Sequence, residues 1–264
     1  MDCSADRCDL GSSRLGFLSS ARTAGRTADM VRLGIRSTYR KLYRKLLRPE
    51  QTFLRKYLET TEIKKLHIGC GNHLIKGWLN CDLLDDWEIM RGVPIYPLDA
   101  TKPFPLANDT FDAVFSEHMI EHVSYDEGSR MLVECFRVLN PGHFIRIATP
   151  DLKFLIALYA AEKTDLQKRY ITWASDALLD GRHPVDTFVI NNFFYNFGHR
   201  FIYDEAALRK SMMAAGFVDV ISRPLGDSPH SDLKDLENER RIPPGFLRLE
   251  SLVLEAMKPK PGCA

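Results

Sequence analysis

The 264-residue chain has no apolar run approaching the roughly 20 residues that a membrane-spanning helix requires. Its first residues lack the apolar core of a secretory signal, so none is expected. They are rich in Arg and Ser, as organellar presequences are, but Asp2, Asp6 and Asp9 speak against that reading. None of the six cysteines stands in C-x-x-C spacing, which argues against zinc ribbons and dithiol redox centres. Cys70, Cys81 and Cys135 lie in apolar surroundings and read as reduced, buried thiols of a cytoplasmic protein. No internal repeat is visible. The chain also lacks a strong charge of either sign, with a net charge of +1. Its basic excess is confined to residues 1–48, which carry 11 Lys and Arg against four Asp. The remainder is mildly acidic, so nucleic acid is not an expected partner.

What is present fits a soluble globular domain, with 45% hydrophobic and 27% charged residues. Residues 1–48 read as a basic arm followed by an amphipathic helix, and residues 49–264 as the main domain. From Val31 to Leu47 apolar residues recur at helical spacing, with Arg32, Arg36, Arg40, Arg44 and Lys45 on the other face. Such a segment suits either peripheral contact with an anionic membrane through residues 30–47 or packing on its own domain.

Beyond residue 50 short apolar runs alternate with helical periodicity. Strands are expected at 62–69, 77–84, 93–100, 111–116, 143–150, 217–222 and 247–258. Helices are expected over 128–140 and over 203–216, the latter with Asp204 as N-cap and Gly216 past its end. This alternation predicts a doubly wound α/β fold with a mainly parallel sheet and ligands at the carboxyl ends of its strands. The polar residues fall at those ends. "HIGCGN" (67–72) closes the first strand with Gly69 and Gly71, which let backbone approach a ligand. Asp82 ends the second strand, Asp99 the third, and Ser116 with Glu117 the fourth. Four such ends in succession form a nucleotide-binding pattern.

These segments resemble class I S-adenosylmethionine-dependent methyltransferases. They are similar in particular to a predicted bacterial group marked by "LHIGCG…GWLNCDL", "FPLANDTFDAVFSEHMIEH", "RVLNPGHFIRIATPD" and "GHRFIYDEAALRKSMMAAGF", over residues 62–258. The resemblance implies a Rossmann-like seven-stranded sheet with one antiparallel strand and S-adenosylmethionine as cofactor. It implies that His67, Gly69, Cys70 and Gly71 hold the methionine moiety, Asp82 and Leu83 the ribose side, and Asp99 with Ala100 the adenine. Ser116 and Glu117 would lie beside the transferable methyl. It further suggests a small-molecule, saccharide or glycolipid acceptor from surface-polysaccharide pathways, methylated on oxygen. Two departures stand out. His67 occupies a position that is commonly acidic, and the link from Gly71 to Trp78 is too short for a crossover helix. Residues 50–61 are therefore expected to cover that face of the sheet.

His118-Met-Ile-Glu121-His122 also fits the H-x-x-E-H pattern of a zinc peptidase class. That reading needs a helix already running at His118 and a third ligand, so no metal is expected. Candidate bases are His118, His122 and His199, with Glu117 as the carboxylate alternative; a purely structural hydrogen-bonding role fits each histidine equally. Two insertions, 151–200 and 223–246, are expected to shape the acceptor side, with Tyr195, Arg240 and Arg241 as substrate contacts. A dinucleotide oxidoreductase is disfavoured because "GCGNHL" has leucine where the third glycine belongs. A non-catalytic nucleotide-binding module of the same fold stays open.

Overall fold

The computed structural model describes residues 48–84, 93–179, 181 and 184–262. The basic arm and the amphipathic segment 30–47 lie outside the described residues. Seven strands form one sheet: β1 (Lys65–Ile68), β2 (Leu79–Asp82), β3 (Tyr96–Pro97), β4 (Phe111–Glu117), β5 (Leu139–Pro150), β6 (Val218–Ser222) and β7 (Ser251–Met257). Their spatial order is β3-β2-β1-β4-β5-β7-β6. The successive pairs from β3 through β2, β1 and β4 to β5 are all parallel, while β7 runs antiparallel to both β5 and β6. The expected seven-stranded sheet with one antiparallel strand is therefore present. The order in which strands are added reverses between β1 and β4, and ligand crevices of such sheets open at that point.

The sheet is covered on both faces, which is why its central strands read as unbroken apolar runs. On one face α2 (Tyr125–Val138) and α6 (Glu205–Ala214) bury Met131, Leu132, Cys135, Val138, Leu208 and Met212 against Leu66, Ile68, Val114, Ile145 and Ile147. Ser124 and Glu127 form a reciprocal capping box at the start of α2, three residues earlier than periodicity alone indicated. Asp204 caps α6 by accepting from Ala207 N–H at 2.7 Å, as expected.

The opposite face corrects one expectation. Helix α1 (Pro49–Thr60) does form, but its Phe53, Leu54 and Tyr57 pack into the larger cluster with Leu66 and Leu79. The face carrying Trp78 and Phe115 is covered by Leu233 and Leu236 from the 223–246 segment instead. The short β1–β2 link is held by Asn80, whose side chain accepts from Ile75 N–H and donates to Ile75 and Trp78 carbonyls.

The segment 151–200 is largely helical. Its α3 (Leu152–Leu158), α4 (Asp165–Leu178) and α5 (Asp186–Tyr195) build a second core around Phe154, Tyr170, Ala174 and Phe193. The final run 247–258 is not one strand. Phe246–Glu250 forms a short helix, α7, and only Ser251–Met257 is extended. Gly245, at φ +85°, turns the chain into α7 so that Phe246 reaches the second core. The segment 223–246 is anchored by Arg146 of β5, fully buried, which donates to Glu237 and Glu255 at 2.6 Å each. No helix among the described residues is long and apolar enough to cross a membrane.

Candidate active site

The loops after β1, β2, β3 and β4 enclose a cavity of about 480 Å³. Gly69, Gly71, Asp82, Leu83, Asp99 and Ala100 all line it, so six residues distant in sequence converge as expected. Asp82 organises this end. Its Oδ2 accepts from Gly71 N–H at 2.6 Å and its Oδ1 from Leu83 N–H at 2.7 Å, which ties the β1 and β2 loops together. A carboxylate oxygen has further lone-pair sites, so both can still accept hydroxyl donors. Asp99 Oδ1 accepts from the backbone and hydroxyl of Thr101, at 2.9 and 2.6 Å, which fixes its turn. The two glycines differ. A Cβ on Gly69 would sit 2.3 Å from the Met119 side chain, whereas one on Gly71 would meet nothing within 4 Å. Gly69 is required for packing between two loops, and Gly71 faces open space.

Four other expected contacts do not line the cavity. His67 is buried on the Phe115 face, where its Nδ1 bonds Asn80 Oδ1 at 3.1 Å. Burial lowers its pKa to about 4, so the ring is neutral at physiological pH. The Cys70 thiol is also buried, and burial first and Asp82 second push it up to about 12. Ser116 is enclosed on the main-core side. Glu117 turns to the opposite face, where both oxygens accept from Asn238 N–H at 3.2 Å and one lies 3.4 Å from His73 Nδ1. β4 extends one residue beyond the predicted end, so the loop starts at His118 and Glu117 is withdrawn from the catalytic set.

His118 adopts φ +48°, a left-handed turn that directs the chain out of β4. Its Nε2 pairs with Ser251 Oγ at 2.9 Å and its Nδ1 stands 3.4 Å from Glu121 Oε1. The zinc-peptidase reading fails here on geometry. His118 is in a loop, and only Ile120–His122 forms a single tight turn before α2. Yet His118 and His122 line a second cavity as well, of about 360 Å³, with Glu121, Tyr170, Trp173, Phe193, Phe197, His199, Arg241 and Glu250. The two cavities share these two histidines as a wall.

Of the expected acceptor contacts Arg241 reaches this second cavity, as does the candidate base His199. Tyr195 does not. It is 82% exposed, and Phe193 and Phe197 take the place assigned to it. Arg240 is exposed and also absent from the lining. Arg241 lies 3.7 Å from Glu250, whose other oxygen accepts from the Tyr170 hydroxyl. Burial raises the Glu250 carboxyl above the usual range. Glu121 behaves differently: burial acts to raise its pKa, but the neighbouring His118 ring, with the backbone and His122 after it, outweighs burial and the carboxyl is held low. Burial lowers His199. Sequence reading missed Thr101, Met119 and Arg200 in the first cavity. Arg200 follows His199 directly in "FGHRF"; Met119 left no signal.

Residues 66–147 match the family described as a methyltransferase domain. The matched stretch contains every strand-end residue that lines the first cavity from Gly69 to Ala100. Together with the cavity's chemistry it supports S-adenosylmethionine as the cofactor. Among solved structures, a SAM-dependent methyltransferase from Archaeoglobus fulgidus is similar at 17% identity and a TM-score of 0.47. That comparison covers 83% of this chain and 100% of the other. A possible histamine N-methyltransferase from Thermotoga maritima is similar at 19% identity and a TM-score of 0.42, covering 83% and 95%. No curated protein matches.

Proposed function

We propose that this chain transfers a methyl group from S-adenosylmethionine to a hydroxyl of a small-molecule or saccharide acceptor, including a sugar carried on a lipid. The observation that carries this reading is the wall of His118 and His122 common to both cavities. One side has the features of a nucleoside site: two strand-end carboxylates, an open glycine and a volume within the roughly 300–1,000 Å³ of cofactor pockets. The residues fit the cofactor. Asp82 would accept the ribose hydroxyls, Asp99 with Ala100 would meet the adenine, and the Gly71 backbone would lie along the methionine chain. When bound, S-adenosylmethionine supplies an electrophilic methyl on a sulfonium.

The protein's own task is alignment and exclusion of water. The acceptor would enter the second cavity, where Trp173, Phe193 and Phe197 offer faces for a sugar ring or other flat surface. Arg241 stands at its edge and suits a phosphate or carboxylate on the acceptor. The acceptor oxygen would then meet the shared wall.

Calorimetry with S-adenosylmethionine, followed by product detection across hydroxylated acceptors, tests the reading. One cofactor per chain and methylated product are expected. His118→Asn should lower turnover while leaving cofactor affinity within about twofold. Absence of cofactor binding ends the proposal, and binding without product from any acceptor leaves the chain a nucleotide-binding module.

A further inference from the structure

Glu121 is fully buried, and its Oε1 accepts no hydrogen bond. A carboxylate in that position requires positive charge or donors close by. Thr149 Oγ1 donates to Oε2 at 3.1 Å, and His118 Nδ1 stands 3.4 Å from Oε1 without the alignment of a hydrogen bond. Two more histidines face the same carboxylate. One oxygen of Glu121 and one ring nitrogen each of His122 and His199 all lie within 4.8 Å of one another.

The outer contacts of these rings fit a ligand role. His199 Nδ1 lies 2.8 Å from the Phe193 carbonyl, which can only accept, so Nδ1 carries the proton and Nε2 the lone pair. Metal-bound histidines are held in this way by a backbone or carboxylate acceptor. His122 forms no hydrogen bond through its ring among the described residues and touches His199 edge-on at 4.8 Å. Donors sharing a tetrahedral zinc at about 2.0–2.2 Å lie roughly 3.3–3.6 Å apart, so the rings must turn inward by about 1 Å or more to close the set. Two imidazoles and one carboxylate suit a borderline divalent ion, since calcium and magnesium prefer all-oxygen surroundings.

We propose that Glu121, His122 and His199 bind a divalent transition-metal ion, zinc by the chemistry of the donors, in the wall of the second cavity. The ligand set differs from that of the H-x-x-E-H pattern, in which His118 and His122 are ligands and Glu121 the base: His199 replaces His118, and Glu121 is itself a ligand. All three residues line that cavity, so an oxygen of an acceptor could complete the coordination of a bound ion. The site is independent of methyl transfer, because it is read by metal binding alone.

The test uses untagged full-length protein, stripped with a chelator and titrated calorimetrically with zinc chloride. One zinc per chain is expected, with micromolar or tighter affinity. His122→Ala and His199→Ala should each weaken it at least about tenfold. Glu121→Gln should do the same, with circular dichroism checking its fold because the residue is buried. His118→Ala should cost less than His199→Ala. Cobalt substitution provides a second readout through visible absorption that the His199 variant loses. No stoichiometric zinc, affinity unchanged in both histidine variants, or a larger loss from His118→Ala than from His199→Ala would overturn the proposal; the cluster would then be a hydrogen-bonding relay.

Discussion

The two sides of the site are built by different means. The cofactor side draws Gly69, Asp82 and Asp99 from the ends of three neighbouring parallel strands. Strand ends in such a sheet converge whatever loops follow them, so short local motifs suffice to specify the cavity. The second cavity, the one proposed for the acceptor, is assembled from α4, α5, the 197–200 loop, the segment before α7 and Glu250 of α7. Those elements approach only because a second core and a buried ion network hold them. Parallel strands prescribe the first arrangement, and tertiary packing alone prescribes the second.

The sharpest way to break this contrast is Arg146→Met. Arg146 joins β5 to the 223–246 segment through Glu237, and removing its guanidinium leaves that buried carboxylate without a cation while Glu255 on β7 keeps only Arg223 at 3.2 Å. A stability loss of about 3–5 kcal/mol is expected by urea denaturation. Asp82→Ala comes next and strikes the other side. Loss of a charged acceptor costs about 1.5–3 kcal/mol, so S-adenosylmethionine affinity should fall roughly 10–150-fold by calorimetry while zinc affinity holds. Gly69→Ala should destabilise by about 1–2 kcal/mol, because φ +71° disfavours a side chain and Met119 occupies the space. Tyr195→Ala should change stability by less than about 0.5 kcal/mol and leave acceptor kinetics unaltered, since the ring faces solvent. An effect of Tyr195 on the acceptor KM would show that the second cavity extends farther than its described lining.

The same contrast explains what sequence could and could not reveal. Asp82 and Asp99 were legible because the first closes a short apolar strand and the second stands two residues beyond another. Glu117 was misplaced because β4 is buried on both faces and offers no polar alternation to show which way a residue points. The whole of "FDAVFSE" is extended, and that one added residue sends Glu117 to the Phe115 face. The α7 helix escaped notice because Leu247 and Leu249 imitate strand alternation within a five-residue segment. Tyr195 and His199 lie in one aromatic stretch whose inward members cannot be distinguished without the fold. The partnership of Glu121 with His199 spans 78 positions and has no local trace.

The contact between Gly69 and Met119 has a mechanical consequence. With no room for a methyl group between them, the turn after β1 and the turn after β4 are meshed like adjoining gear teeth. Met119 is flanked by His118, so any shift of the glycine turn would have to be taken up one residue from the partition between the two chambers.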